Sequence, residues 1–153
     1  MTTKSHSSRV ATQRSASHEW ETPRALFERL HVEFAFTVDG AALDHNARLP
    51  RYWTPYSDGL GQSWEGERVF VNPPFGKEIA NWTRKASREV QRGCPLAVLL
   101  VPVRSDTAWW HETVLGRAEV RFLRGRVKFE QRGMAKDAAP FPCCLLIYRG
   151  VSA

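Results

Sequence analysis

Long apolar runs are missing from this 153-residue chain. The longest, Pro95 to Val103, is strand-sized and falls well short of the roughly 20 apolar residues a spanning helix needs, so no membrane partner is expected. Cysteine is scarce. Three residues, with Cys143 and Cys144 adjacent, suit neither a disulfide framework nor a zinc site and read as reduced thiols of a cytoplasmic protein. The first 20 residues lack the apolar core of a secretory signal. Residues 1–18 contain no acid, only Lys4, Arg9 and Arg14 among serines and threonines. Such a segment buries too little to offset its ordering entropy, so a disordered basic tail is expected ahead of a domain spanning 19–153.

The usual ligand-binding signatures are also missing. There is no G-x-G-x-x-G, and Gly76-Lys77 lacks both the upstream glycine and the following Ser or Thr of a phosphate loop. His31-x-Glu33 and Pro142-Cys143-Cys144 resemble a zinc deaminase signature, yet the second cysteine at the required spacing is not there. His111-Glu112 lacks the later histidine of a zinc protease. No metal site is expected.

What is present is positive charge. Lys and Arg number 22 against 16 Asp and Glu, a formal net charge of +6. That balance favours a polyanionic partner, with nucleic acid the commonest. The excess concentrates late: Arg117 to Lys136 holds seven basic residues against Glu119 and Glu130.

The chain reads as an α/β sandwich. Thr22 suits an N-cap with Pro23 at the first helical position, and Ala25, Leu26, Phe27 and Leu30 form an apolar stripe. Phe34 to Val38 reads as a strand ending at Asp39. A helical turn at Asn46–Leu49, a short strand at Tyr52–Thr54 and a turn at Ser57–Gly59 follow. Val69–Val71 reads as a buried strand and 77–92 as a helix with Ile79, Trp82, Ala86 and Val90 on one face, stopped by Gly93. Leu96–Val101 suits a central parallel strand. Ser105 or Asp106 caps a helix through Trp109, Trp110 and Val114. Strands are then expected at Glu119–Leu123, Arg126–Phe129 and Pro142–Tyr148. The order implies a mostly parallel sheet with helices on both faces and antiparallel C-terminal strands.

One motif stands out at a strand end: Asn72-Pro73-Pro74-Phe75. Ligands of open α/β sheets bind beyond the carboxyl ends of the strands. Two prolines fix φ twice and remove two backbone donors, leaving carbonyls free to accept. The Asn72 carboxamide oxygen is a further acceptor, and Phe75 offers a face for a planar ring. This set suits an exocyclic amine, with two acceptors for its two N–H bonds. A Pro-Pro turn that merely ends the strand uses the same residues.

N-P-P-F resembles the [D/N/S]-P-P-[Y/F/W] motif of amino-group methyltransferases. The longer pattern resembles the small phage-type DNA N-6-adenine methyltransferases. It comprises Trp20-Glu21-Thr22-Pro23, Phe36-Thr37-Val38-Asp39, Asp58-Gly59-Leu60 with Trp64, Val71 to Phe75, Asp106 to His111, Gly125 to Phe129 and Phe141-Pro142. The resemblance covers about residues 19–148. It implies a Rossmann-like methyltransferase fold, S-adenosyl-L-methionine as methyl donor and adenine in DNA as acceptor, in a bacterial host's cytoplasm if phage-encoded. Carried over by position, Asn72, Pro73, Pro74 and Phe75 would hold the adenine. Asp39 resembles the acid of the cofactor-binding strand, Asp58 the acid that accepts from the cofactor's adenine amine, and Trp20, Thr22 and Pro23 the segment closing over its methionine end. The chain departs from the wider pattern after the first strand, where Asp39-Gly40-Ala41-Ala42 offers one glycine in place of a glycine-rich turn.

Arg104, His111, Arg126 and Lys128 are candidates for DNA phosphates. His111 also suits closing its helix, Arg126 with Lys128 a solvated hairpin, Asp39 capping a turn and Asp58 an Asx-turn with Gly59. The functional alternatives are a basic nucleic-acid-binding module without catalysis, or an amino-methyltransferase acting on cytosine N4 or a protein glutamine. Oligomeric state and target sequence have no signature here.

Overall fold

The computed structural model describes residues 20–151; the expected tail at 1–18 lies outside them. The described residues form ten elements in chain order: α1 (Arg24–Phe34), β1 (Val38–Asp39), β2 (Arg68–Val71), α2 (Ile79–Glu89), β3 (Leu96–Pro102), α3 (Ala108–Thr113), β4 (Glu119–Phe122), β5 (Glu130–Gln131), β6 (Met134–Ala135) and β7 (Cys143–Arg149). Five of the strands form one sheet in the order β1-β2-β3-β7-β4, while β5 and β6 make a separate hairpin. β1, β2 and β3 are mutually parallel, and β7 is antiparallel to both β3 and β4. β4 therefore points the same way as β3, and β7 is the sheet's single reversed strand.

Alternation along the strands sorts the core into two faces. Val69, Val71, Ala97, Leu99, Val101, Cys144, Leu146 and Tyr148 meet Ile79, Trp82 and Ala86 of α2 and Trp110 of α3. Phe70, Val98, Leu100, Cys143, Leu145 and Ile147 meet Phe27, Leu30 and Phe34 of α1. Both faces of β3 and β7 are thus covered, which is why each reads as an unbroken apolar run. No helix among the described residues is long and apolar enough to cross a membrane.

Several local expectations need correction. The N-cap of α1 is Pro23, not Thr22, and no side chain of its own segment caps it. The first free helical N–H, that of Arg24, instead donates to Glu130 Oε2 at 2.6 Å, so a carboxylate distant in sequence does the work of a local cap. Phe34, Phe36 and Val38 are buried and Ala35 and Thr37 exposed, as strand alternation requires. Yet Phe34 belongs to α1, Ala35 turns the chain with φ 49°, and only Val38–Asp39 pairs. The turn expected at 46–49 occurs earlier, at 44–46. Tyr52 makes a single bridge to Asp39 rather than a strand.

The helix expected over 77–92 is shorter, Ile79–Glu89. α3 is capped by Thr107, whose Oγ1 accepts from the Trp110 N–H at 3.4 Å, rather than by Ser105 or Asp106. Arg126–Phe129 is not a strand. Val127 and Phe129 are buried and Arg126 and Lys128 exposed, but the carbonyls of Val127 and Phe129 accept from Ala139 and Lys136 in irregular backbone.

Candidate active site

The parallel strands β1 and β2 deliver Asp39 and Asn72 to one edge of the sheet, and β3 leads through Val103 to Arg104 at the same edge. That edge is the crevice where open α/β sheets take their ligands.

Asn72 is held by its nitrogen. Nδ2 donates to the Trp20 carbonyl at 2.7 Å, and Oδ1 is buried with no partner among the described residues. A buried acceptor left unmade costs about 1–3 kcal/mol, and most such atoms in native proteins are satisfied. Beside it Pro73 and Pro74 are buried and present no backbone donor. The half-buried Phe75 ring meets Trp20, Phe129 and Phe141 at centroid distances of 5.9, 5.5 and 5.5 Å. Two cations lie over this aromatic cluster: Lys136 Nζ is 4.8 Å from the Trp20 ring, and the Arg104 guanidinium 5.4 Å from that of Phe141.

Two recesses border the motif, one lined by Asn72 and the other by Pro74, and Ala41 lines both. The polar one is lined by Trp20, Glu21, Thr22, Asp39, Arg48 and Asn72, among others. It gathers three of the five cofactor candidates around the amide; Pro23 turns away and lines a separate groove. The second recess is lined by Gly40, Thr54, Asp58, Gly59, Pro74 and Trp82, among others.

The loop carrying Asp58 is fixed from beneath. Trp53, Trp64 and Trp82 stack with ring centroids 6.4 Å apart, and Trp64 Nε1 donates to the Gly59 carbonyl at 2.9 Å. A Cβ on Gly59 would lie 2.2 Å from the Gly40 carbonyl oxygen, so only glycine lets this loop seat against the β1 turn. Asp58 itself adopts φ 59° and is exposed. Its backbone, rather than its side chain, closes the turn: its N–H donates to Thr54 and its carbonyl accepts from Gly61.

Asp39 is 4% exposed, and burial pushes its carboxyl up to about 6. The Arg48 backbone N–H donates to Oδ2 at 3.0 Å and partly offsets that burial.

Arg48 is the residue sequence reading passed over. Its guanidinium is buried, donates twice to the Thr22 carbonyl at 3.0 and 2.7 Å, and pairs with Glu130 Oε2 at 3.3 Å. Glu21 pairs through its backbone with Glu130, and its side chain accepts from the Gly133 N–H at 3.3 Å. Residues 20–23 are thereby strapped between Arg48 and the β5–β6 hairpin. Nothing in the run Asn46-Ala47-Arg48-Leu49 separates this buried arginine from an exposed one; the acid that receives it is 82 positions away.

The proposed phosphate contacts scatter. Arg104 sits at the aromatic mouth. His111 Nε2 lies 2.8 Å from the Ser105 carbonyl, tying α3 to its preceding loop. Arg126 and Lys128 line the groove that also holds Pro23. All three cysteines are buried and unbridged, and burial pushes Cys94 and Cys143 to about 11 and Cys144 to about 12, so they are protonated thiols at neutral pH. No cluster of three or more potential metal ligands occurs among the described residues.

Comparison with known proteins returns one family and two phage relatives. A family model described as DNA N-6-adenine-methyltransferase (Dam) matches residues 9–152. A DNA N-6-adenine-methyltransferase of Haemophilus phage HP1 (strain HP1c1) is 26% identical over 142 residues, covering 90% of this chain and 82% of its own length. One from Escherichia phage T1 is 25% identical over 106 residues, 68% of this chain and 44% of its own length.

Proposed function

Because the chain belongs to the DNA N-6-adenine-methyltransferase family, we propose that it methylates the N6 amine of adenine in DNA, with Asn72 and the Pro73 carbonyl accepting the amine's two hydrogens. The observation that carries this reading is the Asn72 amide: its nitrogen is anchored, and its buried oxygen lacks the donor an exocyclic amine would supply. Bonding to those hydrogens favours a more tetrahedral, more nucleophilic nitrogen, whose lone pair is otherwise delocalised into the ring. Transfer of the methyl group, whose former bonding pair stays on the donor's sulfur, leaves a cationic nitrogen that then releases a proton to water. No covalent enzyme intermediate is required, in keeping with three protonated, buried cysteines. Adenine in a duplex must be flipped out first, at a cost of a few kcal/mol.

S-adenosylmethionine, the donor we assign, supplies a sulfonium-activated methyl group. The residues present fit it. The buried Asp39 carboxylate has no cation within 4.0 Å among the described residues and would receive an ammonium group, with Thr22 and Trp20 beside it. Asp58, whose side chain is left free by its own turn, would accept from the adenine amine across Ala41. In this reading the sheet is a Rossmann-like methyltransferase sheet in which Gly40 and Gly59 together take the place of a glycine-rich turn.

An interaction made chiefly in the transition state lowers turnover when removed and leaves ground-state affinity intact. Asn72→Ala should therefore bind cofactor and DNA like the parent while single-turnover methylation falls by at least about a hundredfold, of the size seen when an oriented transition-state donor or acceptor is removed. Asn72→Asp, which keeps an acceptor in place, should retain substantial activity. Parental rates in Asn72→Ala would reduce the motif to a turn.

A further inference from the structure

Two groups stand out among the basic residues of the described chain. Arg48, Arg51, Lys85, Arg121 and Arg149 each lie within 4.0 Å of a carboxylate. Arg29, Arg124, Arg126 and Lys128 have no such partner among the described residues, and all four line one open groove of about 420 Å³ between α1 and the loop after β4. Its floor is apolar, formed in part by Leu26, Leu123 and the buried Val127, and no acidic side chain lines it. Four exposed like charges held around one channel repel one another, so the arrangement is stabilised by an anion that enters it.

Both walls of the groove lead into the site. On one side Pro23 caps the start of α1 and is preceded in the chain by Thr22 and Trp20, which line the recess with Asn72. On the other, Lys128 precedes Phe129, whose ring packs on Phe75 at 5.5 Å. The groove is thus joined to the N-P-P-F motif by two short stretches of chain, 20–23 and 128–129. The lining holds no aromatic ring on which a base could stack and no Asn or Gln to read an adenine edge.

We propose that this groove is the track for the phosphodiester backbone flanking the target adenine, with Arg29, Arg124, Arg126 and Lys128 as its phosphate contacts. The proposal rests on the DNA-methyltransferase reading and adds two arginines, Arg29 and Arg124, to its DNA contacts. It also gives the groove a character: it holds DNA by charge, without sequence preference, leaving adenine selection to Asn72 and its neighbours.

The test is the salt dependence of binding of the full chain to a short unmodified duplex. Each phosphate contact contributes a slope of about −0.9 in log affinity against log salt. Arg124→Gln/Arg126→Gln should flatten the slope by about 1.8, and adding Arg29→Gln should flatten it by about 0.9 more. Calorimetric affinity for S-adenosylmethionine alone should stay at the parental value in both variants, which also shows that they fold. The control, Arg84→Gln/Arg88→Gln on the exposed side of α2, removes the same charge and should leave the slope within about 0.5 of the parent's. Slopes unchanged in the groove variants, or flattened equally by the control, would overturn the proposal. Failure of the parent to methylate adenine while the groove variants still lose slope would refute the enzymatic reading and leave the groove standing as a DNA track.

Discussion

Asp39 shows how one side chain can be costly to the fold and still be placed where the proposed function would use it. Its carboxyl, ordinarily near 3.8, is held at about 6 by burial. Well below pH 4 it is neutral in both folded and unfolded chains and costs nothing. Between about pH 4 and 6 the unfolded chain releases its proton first, so stability falls as pH rises; above about 6 the cost is complete, on the order of 3 kcal/mol. Asp39→Asn should thus melt higher than the parent at pH 8, with the gap closing towards pH 4, in ligand-free thermal unfolding. A gap of equal size at both pH values would mean that the charge is already compensated. Asp58 is the opposite case, exposed and without structural duty for its carboxylate. Asp58→Ala should leave the melting temperature alone and weaken S-adenosylmethionine roughly tenfold by calorimetry, the worth of a hydrogen bond to a charged group; unaltered affinity would remove it from the cofactor site.

At the scale of elements, what the sequence discloses is burial pattern, and backbone geometry only where pattern and partner agree. α2 was legible because Ile79, Trp82, Ala86 and Val90 repeat at helical spacing and all four are buried. β3 was legible because it is covered on both faces. The stretches Phe34–Val38 and Arg126–Phe129 alternate in burial just as strands do, yet neither pairs along its length, since register is settled by neighbours rather than by alternation. The strap at residues 20–23 was half legible. Trp20, Thr22 and Pro23 stand out in the local sequence, but the clamp that holds them, Arg48 with Glu130, joins positions too distant for local pattern to reveal. Removing one member of a buried ion pair leaves the other uncompensated, at about 3–5 kcal/mol. Arg48→Ala should approach that loss in urea unfolding, and Arg48→Lys, which keeps the charge but not the double bond to Thr22, should lose less. A loss under about 0.5 kcal/mol for the alanine variant would show that the strap is not held by this arginine.

For the molecule as a whole, the sheet's direction organises the rest. Three adjacent parallel strands present Asp39, Asn72 and the approach to Arg104 at one edge, and the reversed β7 locks β3 to β4 without contributing to that edge. The positive charge foreseen between Arg117 and Lys136 is real but divided: Arg121 is consumed by Glu33 and Glu119, whereas Arg124, Arg126 and Lys128 stand over the groove. Composition gave the sign of that charge, and only the fold could say which part of it is available. In the proposed function, the Asn72 amide, the Asp39 and Asp58 carboxylates and the cations along the groove would receive an adenine, a methyl donor and a phosphate backbone together. Incubation of the chain with S-adenosylmethionine labelled in its methyl group and with unmodified DNA, followed by digestion to nucleosides, tests this directly. Label recovered in N6-methyldeoxyadenosine is the predicted result. Label in N4-methyldeoxycytidine, in protein, or in no product while donor and DNA both bind would contradict it.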